Sequence, residues 1–288
     1  MRRLIVCADD FGLDTAVNAA VEEGHKRGIL STASLMVGAP MAADAVERAR
    51  CLPELHVGLH LVLVDGQPVS PPENVPGLVG RDGRFLSNMA RAGFRFFFRP
   101  DIRRQLAHEI RAQFEAFHAT GLDLDHVNTH KHMHLHPTVA DLILKIGRDY
   151  RMRSMRVPAE PRAPLRRAFP QERTPPVLYR PWVERLRRRL RGAGMVVNDH
   201  VFGLAWSGRM VEERILRLLP YLPEGVSEIY CHPATERSPA LAAAMPEYHH
   251  TEELAALTSP AIAARIAALG IELSTYSALA SWAGGCSP

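Results

Sequence analysis

The sequence lacks long apolar runs and has few cysteines. No stretch of its 288 residues approaches the ~18 consecutive apolar residues that indicate a membrane-spanning helix. The four cysteines show no CxxC spacing, so neither a disulfide framework nor a cysteine zinc site is indicated. The apolar run that begins the chain is too short for the core of a signal peptide and leads into two aspartates. We therefore expect a cytoplasmic protein with reduced thiols.

The sequence also lacks an internal repeat and any nucleic-acid-binding motif. Its net charge of +4 and pI of about 9.0 would suit nucleic acid. The positive charge is concentrated in one segment, however, and no binding motif accompanies it, so nucleic acid is not an expected partner. The hydrophobic content of 47% and the charged content of 23% are typical of a globular protein that buries a core. The length suits one large α/β domain or two small ones.

Short β-branched runs alternate with amphipathic stretches along most of the chain. Residues 3–9 predict a first strand, and residues 15–28 predict a first helix that ends near Gly28. Strand and helix then alternate about seven times, a pattern typical of parallel β/α folds. Residues 152–158 predict one of the later strands. A (β/α) barrel fits this count better than an open sheet.

Two stretches interrupt the alternation. Residues 65–100 are rich in glycine and proline and end in the aromatic run "FRFFFRP". Residues 158–203 are rich first in proline and then in arginine. We interpret both as insertions over one face of the fold. The sequence therefore predicts a single α/β domain over residues 1–288, built as an irregular, TIM-like (β/α) barrel.

Acidic and imidazole side chains recur at the predicted strand ends. Asp9 and Asp10 end the first strand, His60 lies in the third, His130 ends the fourth, and His232 ends a late one. In a parallel β/α fold the reactive side chains lie at the carboxyl ends of the strands. One carboxylate and two imidazoles from different strands make a three-ligand metal site that leaves positions open for water and substrate. We therefore interpret Asp10, His60 and His130 as ligands of a divalent metal ion, and His232 as a candidate acid or base.

The segment "DHVNTHKHMHLHP" holds five of the chain's 14 histidines. Alternate residues share one face of a strand, so several of these imidazoles are expected to face one pocket. For His126, and for His56 in the third strand, a structural role is the better interpretation. Asp14 is interpreted as the cap of the first helix, and His136 as part of the start of the helix that follows Pro137. Three other residues are candidates for substrate binding: His132, His134 and Arg156. For His132 and His134 the alternative is that they orient a metal ligand.

Four short motifs resemble a known family. "ADDFG", "VGLHL", "HVNTHKHMH" and "YCHPA" match, in order and spacing, the YdjC-like carbohydrate deacetylases, which include the chitooligosaccharide deacetylases. The stretch "LTSPAIAARIAALGIELSTY" is similar to the C-terminal end of the family. The resemblance spans nearly the whole chain and is weakest in the two insertions. It implies an irregular (β/α) barrel that hydrolyses the N-acetyl amide of an amino sugar.

The resemblance also implies roles for individual residues. It implies Asp9 as a general base and His232 as a catalytic imidazole. One departure is visible, because the family usually has an aspartate within "HxDSH" where this chain has Asn128. An amide can orient a neighbouring imidazole but adds no charge. The implied ligands of the divalent ion, zinc or magnesium, are the residues already named: Asp10, His60 and His130.

Within the family the chain most resembles the hopanoid-biosynthesis-associated branch. The resemblance rests on residues 180–204 and on "GFRFFFRP". It implies a lipid-linked amino sugar, N-acetylglucosaminyl bacteriohopanetetrol, as substrate. Soluble chitooligosaccharides are an alternative substrate. Two other classes stay open: a metallophosphoesterase, which usually assembles two metal ions, and a non-catalytic, membrane-associated metal- or lipid-binding protein, which would not need a spare base such as Asp9.

Six arginines fall between residues 180 and 191, interleaved with apolar residues at three- and four-residue spacing. This spacing predicts an amphipathic helix. One interpretation is a solvated basic helix packed on the barrel. The other is an interfacial helix with its apolar side among acyl chains and its arginines on anionic headgroups, which would hold the protein peripherally at the inner face of the membrane. The candidates for membrane contact are Trp182, Arg187 and Arg188, with "FRFFFRP" as a second apolar contact.

Overall fold

The computed structural model describes residues 1–172 and 178–284. Its strands are β1 (Arg2–Phe11), β2 (Thr32–Leu35), β3 (His56–Leu61), β4 (Leu124–Thr129), β5 (His200–Phe202), β6 (Gly225–Cys231) and β7 (Glu272–Leu273). They form one sheet in the order β4-β3-β2-β1-β6-β5, with β7 beside β1. Every strand pairing is parallel.

Helices connect the strands on the outside of the curled sheet. They are α1 (Thr15–Arg27), α2 (Ala42–Arg50), α3 (Met89–Phe98), α4 (Pro100–Ala119), α5 (Pro137–Gly147), α6 (Arg162–Ala168), α7 (Arg180–Gly192), α8 (Glu212–Leu218), α9 (Pro239–Ala244), α10 (His250–Leu257), α11 (Pro260–Ala268) and α12 (Tyr276–Gly284). Asp14 caps α1, as the sequence predicts, because its carboxylate accepts a hydrogen bond of 2.8 Å from the N–H of Ala16. Within the described residues, no helix is both long enough and apolar enough to cross a membrane.

Isolated β-bridges continue the curled sheet from β4 towards β5. Val127 of β4 forms an isolated bridge with Met155, and Ser154 forms another with Val196. The prediction of a regular strand at residues 152–158 is therefore wrong, because this segment pairs only at single residues. Pro158 at the end of the segment has no N–H group that could extend the pairing. The segment still fills the place of a strand between β4 and the chain that enters β5. The predicted irregular, TIM-like α/β barrel is confirmed.

Residues 65–100, predicted as an insertion, contain a helix that their glycine- and proline-rich sequence does not predict. The aromatic run "FRFFFRP" belongs to α3 and to the first residue of α4. Asn88 caps α3 by accepting a hydrogen bond of 2.9 Å from the N–H of Arg91. Ala92 and Phe96 are four residues apart and are both buried, so one side of the helix packs on the protein. The remaining phenylalanines are left on the opposite side.

The basic helix α7 turns its apolar side into the protein. Val183, Leu186 and Leu190 are buried in the main hydrophobic core. Their spacing predicts the helix correctly, but the interfacial interpretation of its apolar side is wrong, because these side chains already pack against the barrel. Helix α7 is a solvated basic helix on the outside of the fold.

The three residues predicted to touch a membrane are arranged differently from one another. Arg187 is only 17% exposed, and its guanidinium donates to the carboxylate of Glu184 and to the carbonyl oxygen of Asp199. It therefore faces the protein, and its prediction as a membrane contact is corrected. Trp182 is 51% exposed and Arg188 is exposed, so these two side chains are on the surface.

Candidate metal centre and its surroundings

The three predicted ligands meet at the carboxyl ends of neighbouring strands. Asp10 lies near the end of β1, His60 lies in β3, and His130 begins a 3-10 turn directly after β4. The His60 Nε2 atom is 3.4 Å from Asp10 Oδ1, and the His130 Nδ1 atom is 3.3 Å from the same oxygen. One ligand atom from each residue lies within 4.8 Å of the others. Among the described residues no other such group of three comes together.

The donor set fits a divalent cation. Both carboxylate oxygens of Asp10 and the Nε2 atom of His60 are buried without a hydrogen-bond partner. Buried polar atoms are normally paired, because leaving them unpaired costs free energy. Burial would raise the pKa of Asp10, but the neighbouring His130 and His60 outweigh it and hold that pKa well below its usual value. The site thus offers an ionised carboxylate and imidazole nitrogens, which suit zinc and several other divalent ions.

The backbone at this site is strained. Asp10 has a φ of 63°, and the two residues after His130, Lys131 and His132, have φ values of 53° and 54°. The left-handed region costs a non-glycine residue roughly 1–2 kcal/mol. Strain of this kind is concentrated at functional sites, where the surrounding structure holds it in place. Here the strained residues are one candidate ligand, Asp10, and the two residues that follow another, His130.

Asp9 is held by a buried arginine. Both terminal nitrogens of Arg156 donate to it, at 2.6 Å to Oδ2 and 2.8 Å to Oδ1. The amide of Asn128 donates to Oδ1 at 3.2 Å. Burial would raise the pKa of Asp9, but the positive charge of Arg156 and its hydrogen bonds lower that pKa far below the usual range. Asp9 is therefore a carboxylate beside the three-ligand site and is not one of the three ligands.

Arg156 is enclosed by the protein and does not reach a substrate. Its side chain has no solvent exposure, and it also donates to Glu228 at 2.7 and 2.9 Å. Glu228 in turn accepts a hydrogen bond of 2.7 Å from the hydroxyl of Tyr276. The prediction that Arg156 binds substrate is corrected: its donors hold Asp9. Glu228 and Tyr276 are absent from the sequence analysis, because only the folded sheet brings them to this arginine.

His232 follows β6 and is fixed through its backbone. Its N–H donates to the carboxylate of Glu253 at 2.5 Å, and its carbonyl oxygen is 2.6 Å from the Nδ1 atom of His250. Burial raises the pKa of Glu253 to about 7, although the N–H groups of His232 and Met210 oppose this. Burial also lowers the pKa of His232, so its imidazole is neutral near pH 7. Glu253 carries no motif that would single it out in the sequence.

His132 and His134, in the histidine-rich segment, differ in solvent exposure. His132 is partly exposed, and its Nε2 atom is 3.2 Å from the hydroxyl of Tyr230. Its Nδ1 atom is nevertheless buried, and this burial and the charge of Arg156 lower the pKa of His132 to about 3, so the imidazole is neutral. His134 has no exposure, and its Nδ1 atom is 2.7 Å from the hydroxyl of Thr129. His132 can face a substrate, whereas the prediction of substrate contact for His134 is corrected to a structural role.

The histidines interpreted as structural all have partners inside the protein. His126 is fully buried and stacks on the ring of Tyr276, with ring centroids 4.8 Å apart. The Nδ1 atom of His56 is 2.8 Å from the hydroxyl of Ser277. His136 is the residue before α5 and packs its ring against Phe96. The structural interpretation of these three residues agrees with their surroundings.

Gly58 gives a test of how tightly this region is packed. A Cβ atom on Gly58 would lie 2.5 Å from ring atoms of His126. We expect Gly58→Ala to lower the free energy of unfolding by about 1–3 kcal/mol, because overpacking forces the ring or the strand to shift. Gly192→Ala is the control, since nothing lies within 4 Å of its added Cβ, and it should be neutral or slightly stabilising. Urea denaturation of both variants checks this; equal stability would contradict the close packing.

Comparison with known proteins places the chain in a family. Residues 3–268 match the family described as YdjC-like protein. A carbohydrate deacetylase of Geobacillus stearothermophilus is 32% identical over 277 residues, which cover 96% of this chain and 97% of that protein. A carbohydrate deacetylase of Vibrio vulnificus (strain CMCP6) is 32% identical over 282 residues, which cover 96% of each chain.

The fold is also similar to a solved structure. A protein of Enterococcus faecalis V583, described as a cellobiose-phosphate cleavage protein, superposes with a TM-score of 0.75 at 26% sequence identity. The superposition covers 96% of this chain and 98% of that chain. The family match spans most of the barrel and includes the strand ends that carry Asp10, His60 and His130. This chain therefore belongs to the YdjC-like protein family.

Proposed function

We propose that this protein is a metal-dependent carbohydrate deacetylase that hydrolyses the acetamide of an N-acetylamino sugar. The observation that carries the proposal is the group Asp10, His60 and His130, in which the buried ligand atoms of Asp10 and His60 lack partners, beside the separate carboxylate Asp9. Hydrolysis of an amide needs an activated water and a group that accepts its proton. Relatives named carbohydrate deacetylase cover nearly the whole chain.

Asp10, His60 and His130 would hold the divalent ion, with zinc or magnesium as the candidates. When bound, the ion would supply Lewis acidity for the acetyl carbonyl and lower the pKa of water towards ~7. Asp9 would accept a proton from the attacking water, since it stays ionised. His232 would donate a proton to the leaving nitrogen. Because His232 is neutral near pH 7, it must gain a proton before it gives one up. Asp9 must lose the proton that it takes from water, so one proton released by Asp9 and one gained by His232 balance in each turnover.

Acetate release tests the reaction class. The protein should release acetate from N-acetylglucosamine oligosaccharides and should release no phosphate from sugar phosphates. A phosphoesterase usually assembles two metal ions, and the described residues bring together one group of three ligands. Phosphate release without acetate release would favour the phosphoesterase class. Metal binding without either product would favour a binding protein.

The proposed substrate is an amino sugar carried by a lipid, and the support comes from α3. Phe94 is 65% exposed, Phe98 is 59% exposed, and Phe97 is also exposed. Phe98 contacts both other rings, with centroids 4.6 Å from Phe94 and 4.9 Å from Phe97. An exposed apolar cluster marks a contact surface, and a membrane lipid offers apolar contact of this kind.

The position of this aromatic cluster, Phe94, Phe97 and Phe98, links it to the candidate metal centre. Phe97 packs against His136, with ring centroids 6.1 Å apart, and His136 directly follows the turn that begins with His130. Arg91 precedes the aromatic residues of α3, and Arg95 lies among them. Arginines near an anionic leaflet add about 1 kcal/mol of attraction each. The proposed substrate is N-acetylglucosaminyl bacteriohopanetetrol, approached from the cytoplasmic side, with Trp182 and Arg188 as further surface contacts.

Removing two of the exposed rings should weaken membrane binding. We expect the double variant Phe94→Ser, Phe98→Ser to bind phosphatidylglycerol vesicles at least ~10-fold more weakly, because each buried phenylalanine contributes about 2 kcal/mol. Wild-type binding should weaken as salt rises. Tyr221→Ser removes an exposed aromatic residue outside the cluster and is the matched control. Vesicle co-sedimentation measures all three proteins.

Two results decide the lipid proposal. A deletion strain should accumulate the N-acetylated hopanoid, and the double variant should keep its activity on soluble chitooligosaccharides. Absence of vesicle binding by the wild-type protein, or an unchanged hopanoid profile with efficient deacetylation of free chitooligosaccharides, would contradict it. The soluble oligosaccharides would then be the substrate, and the deacetylase proposal would stand.

A further inference from the structure

The side chain of Asn128 connects a metal ligand to the neighbouring carboxylate. Its Oδ1 atom is 2.6 Å from the Nδ1 atom of His60. Its Nδ2 atom donates to Asp9 at 3.2 Å and to the hydroxyl of Ser34 at 2.8 Å. Asn128 has no solvent exposure, so these contacts are made without competition from bulk water. The orientation of this amide therefore decides which nitrogen of His60 carries the proton.

Asp9 fixes that orientation from one side. An ionised carboxylate only accepts hydrogen bonds, so the atom of Asn128 that faces Asp9 must be the NH₂ group. The opposite orientation would place two acceptors against each other beside a buried negative charge. The amide oxygen is thus left to face His60. Since an amide oxygen only accepts, the Nδ1 atom of His60 must be the donor.

A second carboxylate fixes the same orientation from the other side. Asp125 is 2.9 Å from the Nδ1 atom of His126, so in the neutral imidazole that nitrogen donates and Nε2 accepts. The hydroxyl of Ser34 is 3.0 Å from this Nε2 atom and donates to it. With its proton used in this way, Ser34 accepts from Asn128. Burial would raise the pKa of Asp125, but the hydrogen bond from His126 leads the effects that lower it to about 2, so the chain ends on a charged acceptor.

We infer that a directed chain of hydrogen bonds sets the tautomer of His60. The chain runs from His60 through Asn128, Ser34 and His126 to Asp125, and every donor points away from the candidate metal centre. It leaves Nε2 as the nitrogen of His60 that can bind a metal ion, and this atom is the buried one without a partner, 3.4 Å from Asp10. Asn128, Ser34 and His126 are positioning residues. They orient His60, the candidate ligand, and do not contact the metal position themselves.

The inference explains what an amide does at position 128. A carboxylate there would still accept from His60, but it would not donate to Asp9 and would add a second negative charge beside it. The amide serves His60 and Asp9 together. Groups that hold the free nitrogen of a ligating histidine typically contribute 10–100-fold to metal affinity. Only the expected effect on metal affinity rests on the proposed metal site. The proton on the Nδ1 atom of His60 is a property of the metal-free protein.

Nitrogen NMR of the metal-free protein measures the tautomer directly. In ¹⁵N-labelled wild-type protein, long-range ¹H–¹⁵N correlations should show a proton on the Nδ1 atom of His60. The absence of this signal in His60→Ala identifies the residue. An unprotonated Nδ1 atom of His60, or an even mixture of the two tautomers, would overturn the inference. This result does not depend on activity, so a failed deacetylase assay leaves it intact.

Three variants test which residue sets the tautomer. Asn128→Leu should give a mixture of tautomers and bind Zn²⁺ about 10–100-fold more weakly by calorimetry. Asn128→Asp should keep the Nδ1–H tautomer and bind Zn²⁺ within a few-fold of wild type. Asn198→Leu removes another fully buried amide, one that holds the backbone of Val157, and should leave His60 unchanged.

Each outcome decides the inference. An unchanged tautomer and unchanged Zn²⁺ affinity in Asn128→Leu would overturn it, as would equal effects of Asn128→Leu and Asn198→Leu. If Asn128→Leu does not fold, Asn128→Asp and the wild-type spectrum give the answer: loss of the Nδ1–H tautomer in Asn128→Asp contradicts the chain, because a carboxylate can only accept from His60.

Discussion

Replacing His60 or His130 with alanine should abolish most metal binding and, with it, acetate release. Each imidazole supplies one of three ligand atoms that converge within 4.8 Å. Two remaining ligands hold a divalent ion poorly, so the affinity should fall by more than the 10–100-fold that is typical when a supporting group around a ligand is lost. Elemental analysis of dialysed protein measures the metal, and circular dichroism checks the fold.

A control from the same strand separates this effect from a general loss of histidine. His56 also lies in β3, but its imidazole faces Ser277 at 2.8 Å and takes no part in the group of three. His56→Ala should therefore retain both metal and activity. Stoichiometric metal in the double variant His60→Ala, His130→Ala would rule out these two residues as ligands.

Asp9→Asn should keep the metal and lose turnover. The amide cannot accept the proton of the attacking water, and loss of a general base typically costs ~10²–10⁴-fold in rate. We expect a loss near the lower end, about 10²-fold, because Arg156 holds the pKa of Asp9 so low that this carboxylate is a weak base. The decrease should appear in kcat, with metal content and KM little changed.

Asp9→Asn also removes one of the two carboxylates that bind Arg156. A control must therefore separate the loss of this ion pair from the loss of the base. Glu228→Gln removes the other carboxylate that binds Arg156 and leaves Asp9 in place. Breaking a buried pair is destabilising, so both variants should unfold at lower urea concentrations than wild type. Only Asp9→Asn should lose kcat by the larger factor. Equal losses of kcat would mean that Asp9 acts through the arginine and is not the base.

The convergence of the three ligands could be predicted from the sequence because it depends on topology. Asp10, His60 and His130 each lie at or near the end of a predicted strand, and parallel strands bring those ends to one side of the sheet. The cap at Asp14 was equally accessible, because it depends on residues two positions apart. Local patterns and strand ends therefore predict the architecture and the convergence of these three candidate ligands.

The sequence does not predict whether some side chains lie in the interior or in the solvent. The spacing of Val183, Leu186 and Leu190 predicts an apolar stripe but not what covers it, and the barrel covers it. Arg156 lies in a segment that could place a guanidinium in the pocket or in the interior. Two carboxylates, Asp9 and Glu228, retain it inside. Those carboxylates are far from Arg156 in the chain, so no local signal indicates the pairing.

Titration of the metal-free protein with Zn²⁺, while acetate release from an N-acetylglucosamine oligosaccharide is recorded, tests the central claim most directly. The account predicts no acetate release after chelation. Activity should return in proportion to bound zinc and saturate at one ion per chain, and it should be absent in His60→Ala at the same zinc concentration. Acetate release that persists after complete chelation, or that is equal in His60→Ala, would contradict the claim that this protein is a metal-dependent deacetylase.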